Sequence, residues 1–270
     1  MRIRAGYEIV HQCPQQTPMM LLLTVHPTRI GDLASEHRIN FHPAVEARDY
    51  RDTYGNTCTR IVAPPGQLTM SADFVINDSG APDVVVPDAE QVPVQDLPDD
   101  VLIYLLGSRY CDTELLATQA WAMFGNGPTG WRRVQAISDY VHEHLTFGYQ
   151  HASATRTASE GLREGRGVCR DFAHLAITLC RCMNIPARYC TGYLGDIGIP
   201  AVPDPMDFSA WFEVYLKGGW YTFDARHNTP RIGRILVARG RDATDVAIST
   251  SFGHTQLVSF KVHTDEVPAS

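Results

Sequence analysis

Over the first 78 residues, apolar positions come in short runs at 7–10, 19–25, 57–62 and 68–76, broken by proline, glycine and asparagine. Runs of that length with that punctuation predict β-strands, and several at this spacing predict a small sandwich. Between two of the runs, Tyr54-Gly55-Asn56-Thr57 reads as a hairpin turn, since Gly and Asn both tolerate positive φ. The stretch 79–100 differs: four prolines and six acidic residues without a single basic one predict a linker.

Beyond residue 100 the period lengthens. Asp112 or Thr113 is placed to cap a helix carrying Leu115, Leu116 and Trp121. Trp131, Val134, Ile137, Val141 and Leu145 recur at three- and four-residue steps, one face of a second helix. A third runs from Cys169 to Met183 and must stop before Pro186. Strands are predicted at 187–193, 208–216 and 220–224, the last two joined through Gly218-Gly219. A two-residue loop there pairs Lys217 with Trp220, Glu213 with Asp224 and Ser209 with Asn228. The expected organisation is a β-rich domain at 1–78, a linker at 79–100 and an α+β core at 101–270.

Composition narrows the class. With 270 residues, 44% hydrophobic and 20% charged, the chain reads as an ordinary globular protein whose core needs no disulfides. A net charge of −7 argues against a nucleic-acid partner, and the basic residues are scattered apart from a small arginine group at 231–241. The seven cysteines show no secreted-type framework. The first residues lack the apolar core of a secretory signal, and no run approaches the ~18 residues of a membrane span. The expectation is a reduced, cytoplasmic protein without membrane partners; nothing in the sequence speaks to oligomeric state.

The chemistry concentrates in Gly165-Arg-Gly-Val-Cys169-Arg-Asp-Phe-Ala-His174. Two glycines allow a close, sharp approach to a cysteine that opens a helix. A helix N-terminus carries partial positive charge and free N–H groups, which favour a thiolate and can hold an oxyanion. The bland alternative is an ordinary buried thiol. Asp224, ending the aromatic run Trp220-Tyr-Thr-Phe-Asp224, is the best group to orient a base, or else it simply caps a turn.

Three segments in order, GVCRDFAHLAITLCRCMNIPARYCTGYLGD, DFSAWFEVYLKGGWYTFDARHNTPRIGR and GRDATDV, resemble the transglutaminase-like core of bacterial proteins. The first 80 or so residues, with YGNTCTRI, are similar to the β-rich region often found ahead of that core. The resemblance implies a papain-like/transglutaminase-like α+β core, helices packed on an antiparallel sheet, preceded by a small β-sandwich. It implies cysteine-dependent amide chemistry (peptidase, amidase or acyl transferase) on a peptide or protein through a thioester, with no cofactor and no metal. Carried over by position, the nucleophile falls on Cys169 and the aspartate on Asp224. The family histidine stands just before Ala-Trp; here that position is Ser209, in Ser209-Ala210-Trp211.

Serine cannot take a proton near neutral pH as imidazole does, so another base must stand in or activity is lost. In a regular strand His227 points away from the face shared by Ser209, Trp211, Glu213 and Asp224, whereas a turn after Asp224 brings it round. His174 lies five residues past Cys169 and projects some 140° away on the helix, which suits packing. Trp211 and Arg241 are candidate substrate contacts, Arg241 alternatively pairing locally. Cys180 and Cys182 have i, i+2 spacing and read as core, as does Cys190. His142 and His144 lack the i, i+4 spacing of a zinc pair. Two functions stay open: an enzyme built on Cys169, or a pseudoenzyme that retains the fold as a peptide-binding or assembly module.

Overall fold

The computed structural model describes residues 1–200 and 206–268. The β-rich half is made of β1 (Arg2–Cys13), β2 (Thr17–Leu21), β3 (Asn40–His42), β4 (Ala47–Arg51), β5 (Thr57–Ala63) and β6 (Gly66–Asn77). In β6 the side chains of Leu68, Met70, Ala72, Phe74 and Ile76 are buried while their neighbours are not, the period-2 signature of a strand with one face on the core. The turn at 52–56 is a hairpin between β4 and β5: Asp52 Oδ1 accepts from the amides of Tyr54 and Asn56, both at 2.8 Å, and Gly55 sits at φ 82°.

The helical half follows, with α1 (Thr113–Phe124), α2 (Trp131–His144), β7 (Thr146–Phe147), α3 (Ala158–Glu164), β8 (Arg166–Gly167) and α4 (Cys169–Cys182). Then come β9 (Ala187–Tyr193), β10 (Ser209–Leu216), β11 (Gly219–Phe223), β12 (Ile235–Gly240), β13 (Ser249–Ser251) and β14 (Gln256–Val267). Strands β9 to β12 form an antiparallel sheet in the order β11-β10-β9-β12, with α4 against β9 and β10. The stripe Trp131, Val134, Ile137, Val141 and Leu145 is buried as its spacing requires. Asp112 stands at the N-cap of α1 but makes no cap bond, because its carboxylate crosses to the amide and hydroxyl of Ser159.

Two expectations are corrected. The hairpin register is Leu216↔Gly219, Tyr215↔Trp220 and Glu213↔Thr222, two residues off the expected pairing, because Lys217 and Gly218 form the loop. A slip of two leaves every side chain on its expected face, so Ser209, Trp211 and Glu213 still share one. The domain boundary also moves. β14 pairs with β1 from Arg2↔Val267 to Gln12↔Gln256, and β13 pairs with β2. Residues 249–267 therefore complete the two sheets β14-β1-β6-β3 and β13-β2-β5-β4 rather than the core assigned to 101–270. Strand pairing is non-local, and nothing within a strand names its partner.

The segment 79–100 contains no α-helix or strand, as its composition predicts, but it is tied down. Asp83 bonds the backbone of Arg231 in both directions, and Trp131 N–H donates to Ala89 O. Among the described residues no helix is long and apolar enough to cross a membrane.

Candidate active site

Cys169 is placed by the chain just before it. Gly165 ends α3 in the left-handed region at φ 65°, and β8 then runs parallel to β7, pairing Gly167 with Phe147. Val168 is extended, and α4 begins at Cys169. Asp171, at the third helical position, folds back so that Oδ2 accepts the Val168 N–H at 2.8 Å and Arg156 Nη1 at 3.0 Å. A Cβ on Gly167 would lie 2.5 Å from Asp171 Cβ, so the cap requires glycine there. Arg170 donates to Ser153 O and lies over the Tyr110 ring at 5.1 Å. The residues after the cysteine thus hold the helix tip from two sides.

Half-buried Cys169 opens onto a cleft also lined by Tyr149, Asp207, Ser209, Arg226, His227 and Arg231. Burial pushes its thiol up to about 11, against the pull of Arg226 and the Ala210 N–H and with the help of Asp207 and Asp224. The helix tip alone does not make a ready thiolate. At neutral pH this cysteine is held as the thiol.

His227 reaches the cleft through a turn. β11 stops at Phe223, and Asp224 Oδ1 accepts the amides of Arg226 at 3.0 Å and His227 at 3.1 Å, while Asn228 N–H returns to Asp224 O at 2.7 Å. Asn228 takes positive φ, 52°, to close it. This folds the His227 ring back until Nδ1 lies 2.8 Å from Asp224 Oδ2. A carboxylate there fixes Nδ1 as the donor, which leaves Nε2 as the acceptor. The sequence could not choose between a regular strand and a turn; the turn is what forms.

Asp224 is 6% exposed and carries one further partner, Arg234, whose Nη2 donates to Oδ2 at 2.9 Å. Burial would raise this carboxyl, but Arg234 and His227 more than offset that and hold it well below the usual carboxylate range. Arg234 is itself paired with Asp83, Nε lying 2.9 Å from Oδ2.

The other expected residues are placed as follows. Ser209 is buried in the cleft wall, and its hydroxyl has no partner among the described residues. Trp211 is 2% exposed, packed with Cys190 and Leu236, and does not line the cleft. Nor does Arg241, which forms a fork to Asp245 at 2.9 and 3.1 Å. His174 is buried, its Nε2 accepting the Ala243 N–H at 3.1 Å and its ring stacked on Tyr110. His142 bonds the carbonyls of Ala225 and Arg226, which supports the turn rather than a metal. Arg226, Arg231, Arg234 and Asp83 belong to the surroundings of the site without having been singled out. The arginine group at 231–241 was the available signal, yet no spacing rule ties it to an aspartate within the linker.

Known proteins bear on this geometry. Residues 119–225 match the transglutaminase-like superfamily, a span that includes Cys169, Ser209 and Asp224 and ends just before His227. An uncharacterized protein of Mycobacterium leprae is 27% identical over 220 residues, covering 78% of this chain and 77% of its own. An uncharacterized protein of Mycobacterium tuberculosis is 26% identical over 235 residues, covering 78% and 73%. The crystal structure of a proposed cysteine protease from Cytophaga hutchinsonii superposes with a TM-score of 0.86 at 28% identity, covering 100% of this chain and 92% of that one. Profile and fold agree: residues 119–225 form a transglutaminase-like core, within a chain whose whole fold is similar to that of the Cytophaga protein.

Proposed function

We propose that the protein cleaves or transfers an amide bond of a peptide or protein, with Cys169 as nucleophile, His227 as base and Asp224 as its orienting carboxylate. Cysteine-based amide chemistry is the general activity that the fold and its neighbours support. The observation that carries the finer reading is the 2.8 Å contact between His227 Nδ1 and Asp224 Oδ2, on a ring that faces the same cleft as Cys169. The pseudoenzyme alternative rested on the missing histidine at Ser209, and His227 weakens that ground.

The steps follow from the proton balance. His227 Nε2 takes the thiol proton as sulfur attacks the carbonyl carbon, and the oxygen becomes an oxyanion near the α4 tip, where the first amides lack intrahelical acceptors. The imidazolium is stabilised by Asp224 and returns its proton to the departing amine as the C–N bond breaks. The Cys169 thioester is then released by water or by a second amine. A neutral thiol makes the base indispensable, so His227→Ala should lower amide turnover about 10²–10⁴-fold. Assaying a panel of peptide amides with wild type, Cys169→Ala and His227→Ala tests this; turnover that survives in His227→Ala removes the proposed base.

A further inference from the structure

We infer that Asp83, in the segment joining the two halves of the chain, is a positioning residue for the Asp224–His227 pair and acts through Arg234. This rests on the proposed function and adds to it a group some 140 residues away in sequence from the base it serves.

The geometry is a clamp. Arg234 lies between two carboxylates: Asp83 takes Nε at 3.1 and 2.9 Å through its two oxygens, and Asp224 takes Nη2 at 2.9 Å. The guanidinium is only 8% exposed and lies 5.1 Å from the centre of the Trp211 ring, so it has little room to turn. Asp224 Oδ2 is shared between Arg234 Nη2 and His227 Nδ1. Arg234 therefore competes with the imidazole for one oxygen. What limits that competition is Asp83, which draws the guanidinium from its other side and cancels much of its charge. Asp83 also accepts the Arg231 N–H at 2.9 Å and donates its own N–H to Arg231 O, fixing a residue of the cleft wall. A linker whose only task was to connect would not need a buried ion pair, since exposed links cost less.

Other charged groups face the pair and are unchanged by a substitution at 83. Arg226 and Arg231 stand beside it, Cys169 and Asp207 lie across the cleft, and Asp139 and His142 of α2 hold the turn through Asn228 and the carbonyls of Ala225 and Arg226. Asp83→Asn keeps the shape of the side chain but removes its charge. The full charge of Arg234 then falls on Asp224, which makes the imidazolium less favourable. The His227-dependent limb of a rate profile should move to lower pH by about half a unit, on a Coulomb effect spread over several ångströms.

The test uses iodoacetamide, which needs no knowledge of the substrate. The alkylation rate of Cys169 is measured from pH 5 to 10 in wild type, His227→Ala, Asp83→Asn and Asp83→Glu, with Tm alongside. The limb should vanish in His227→Ala, shift down in Asp83→Asn and return toward its original place in Asp83→Glu. A lower Tm with an unmoved limb assigns Asp83 a structural part only and overturns the inference, as does an unmoved limb with unchanged Tm. If wild type and His227→Ala share one profile, it is the proposed base that fails. Should Asp83→Asn not fold, Asp83→Ser replaces it and must show the same shift.

Discussion

His227 and His174 each stand near an aspartate, yet their second ring nitrogens meet different surroundings. His227 gives Nδ1 to Asp224 and keeps Nε2 facing a cleft, its side chain 23% exposed. His174 is 1% exposed, lies between Tyr110 and Tyr189, and spends its Nε2 lone pair on the Ala243 N–H. Burial lowers the pKa of His174 far below its ordinary value, with Arg170 adding to the effect and nearby Asp242 opposing it. It is held neutral with its acceptor occupied. The same residue types thus give an imidazole open to the cleft in one place and a structural strut in the other, and the difference lies in whether the Nε2 lone pair is already spent.

The contrast can be broken most directly by exchanging losses. His227→Ala should lower Cys169 alkylation at pH 7 by 10²-fold or more, whereas His174→Phe should leave it within a few-fold of wild type. Comparable losses in two folded variants would erase the distinction. Next in size is Asp224→Ala, which takes from the buried Arg234 one of its two carboxylates and should cost about 3–5 kcal/mol in urea unfolding. A cost below about 1 kcal/mol would mean that Asp83 alone holds the arginine.

His174→Phe should cost about 1–3 kcal/mol, because the Ala243 amide loses its acceptor. It should also change the pH dependence of stability. The unfolded chain binds a proton on His174 near its usual pKa of about 6.5 and the folded chain does not, so stability falls as pH drops below that value, by up to ~1.4 kcal/mol per unit. The variant should lack this contribution; equal slopes from pH 6.5 to 5 would contradict a neutral His174. The smallest effect is expected at the serine. Ser209→His should raise turnover no more than a few-fold, since the proposed base already sits on Asp224, and a gain of 10²-fold would show His227 to be idle.

The parts of this arrangement that could be read in the sequence are the local ones. Gly167, Cys169 and Asp171 announce a helix tip, and Asp171 proves to be the reason for Gly167. The buried stripe of α2 and the alternation in β6 follow from period alone. Where reading failed, the cause was a choice between near-equal conformations or a partner far along the chain. Asp224 to Asn228 could continue as strand or turn back, and only the amides closing on Asp224 decide it. Trp211 looked like a cleft wall because the motif places it beside the site, yet two residues further along the same face of β10 it is covered by Cys190 and Leu236 instead. Asp83 was hidden in a stretch whose composition says only that it is polar.

The pairing of β14 with β1 has a consequence for synthesis. β1 leaves the ribosome well before its neighbour β14. Until then the nascent sheet keeps an unpaired edge twelve residues long, a template for joining another chain. The helical half, by contrast, has its own sheet complete once residue 240 has emerged. Truncation just before 256 should therefore expose the first strand and also strip Phe260 from Phe208 of the cleft wall, giving a product that aggregates.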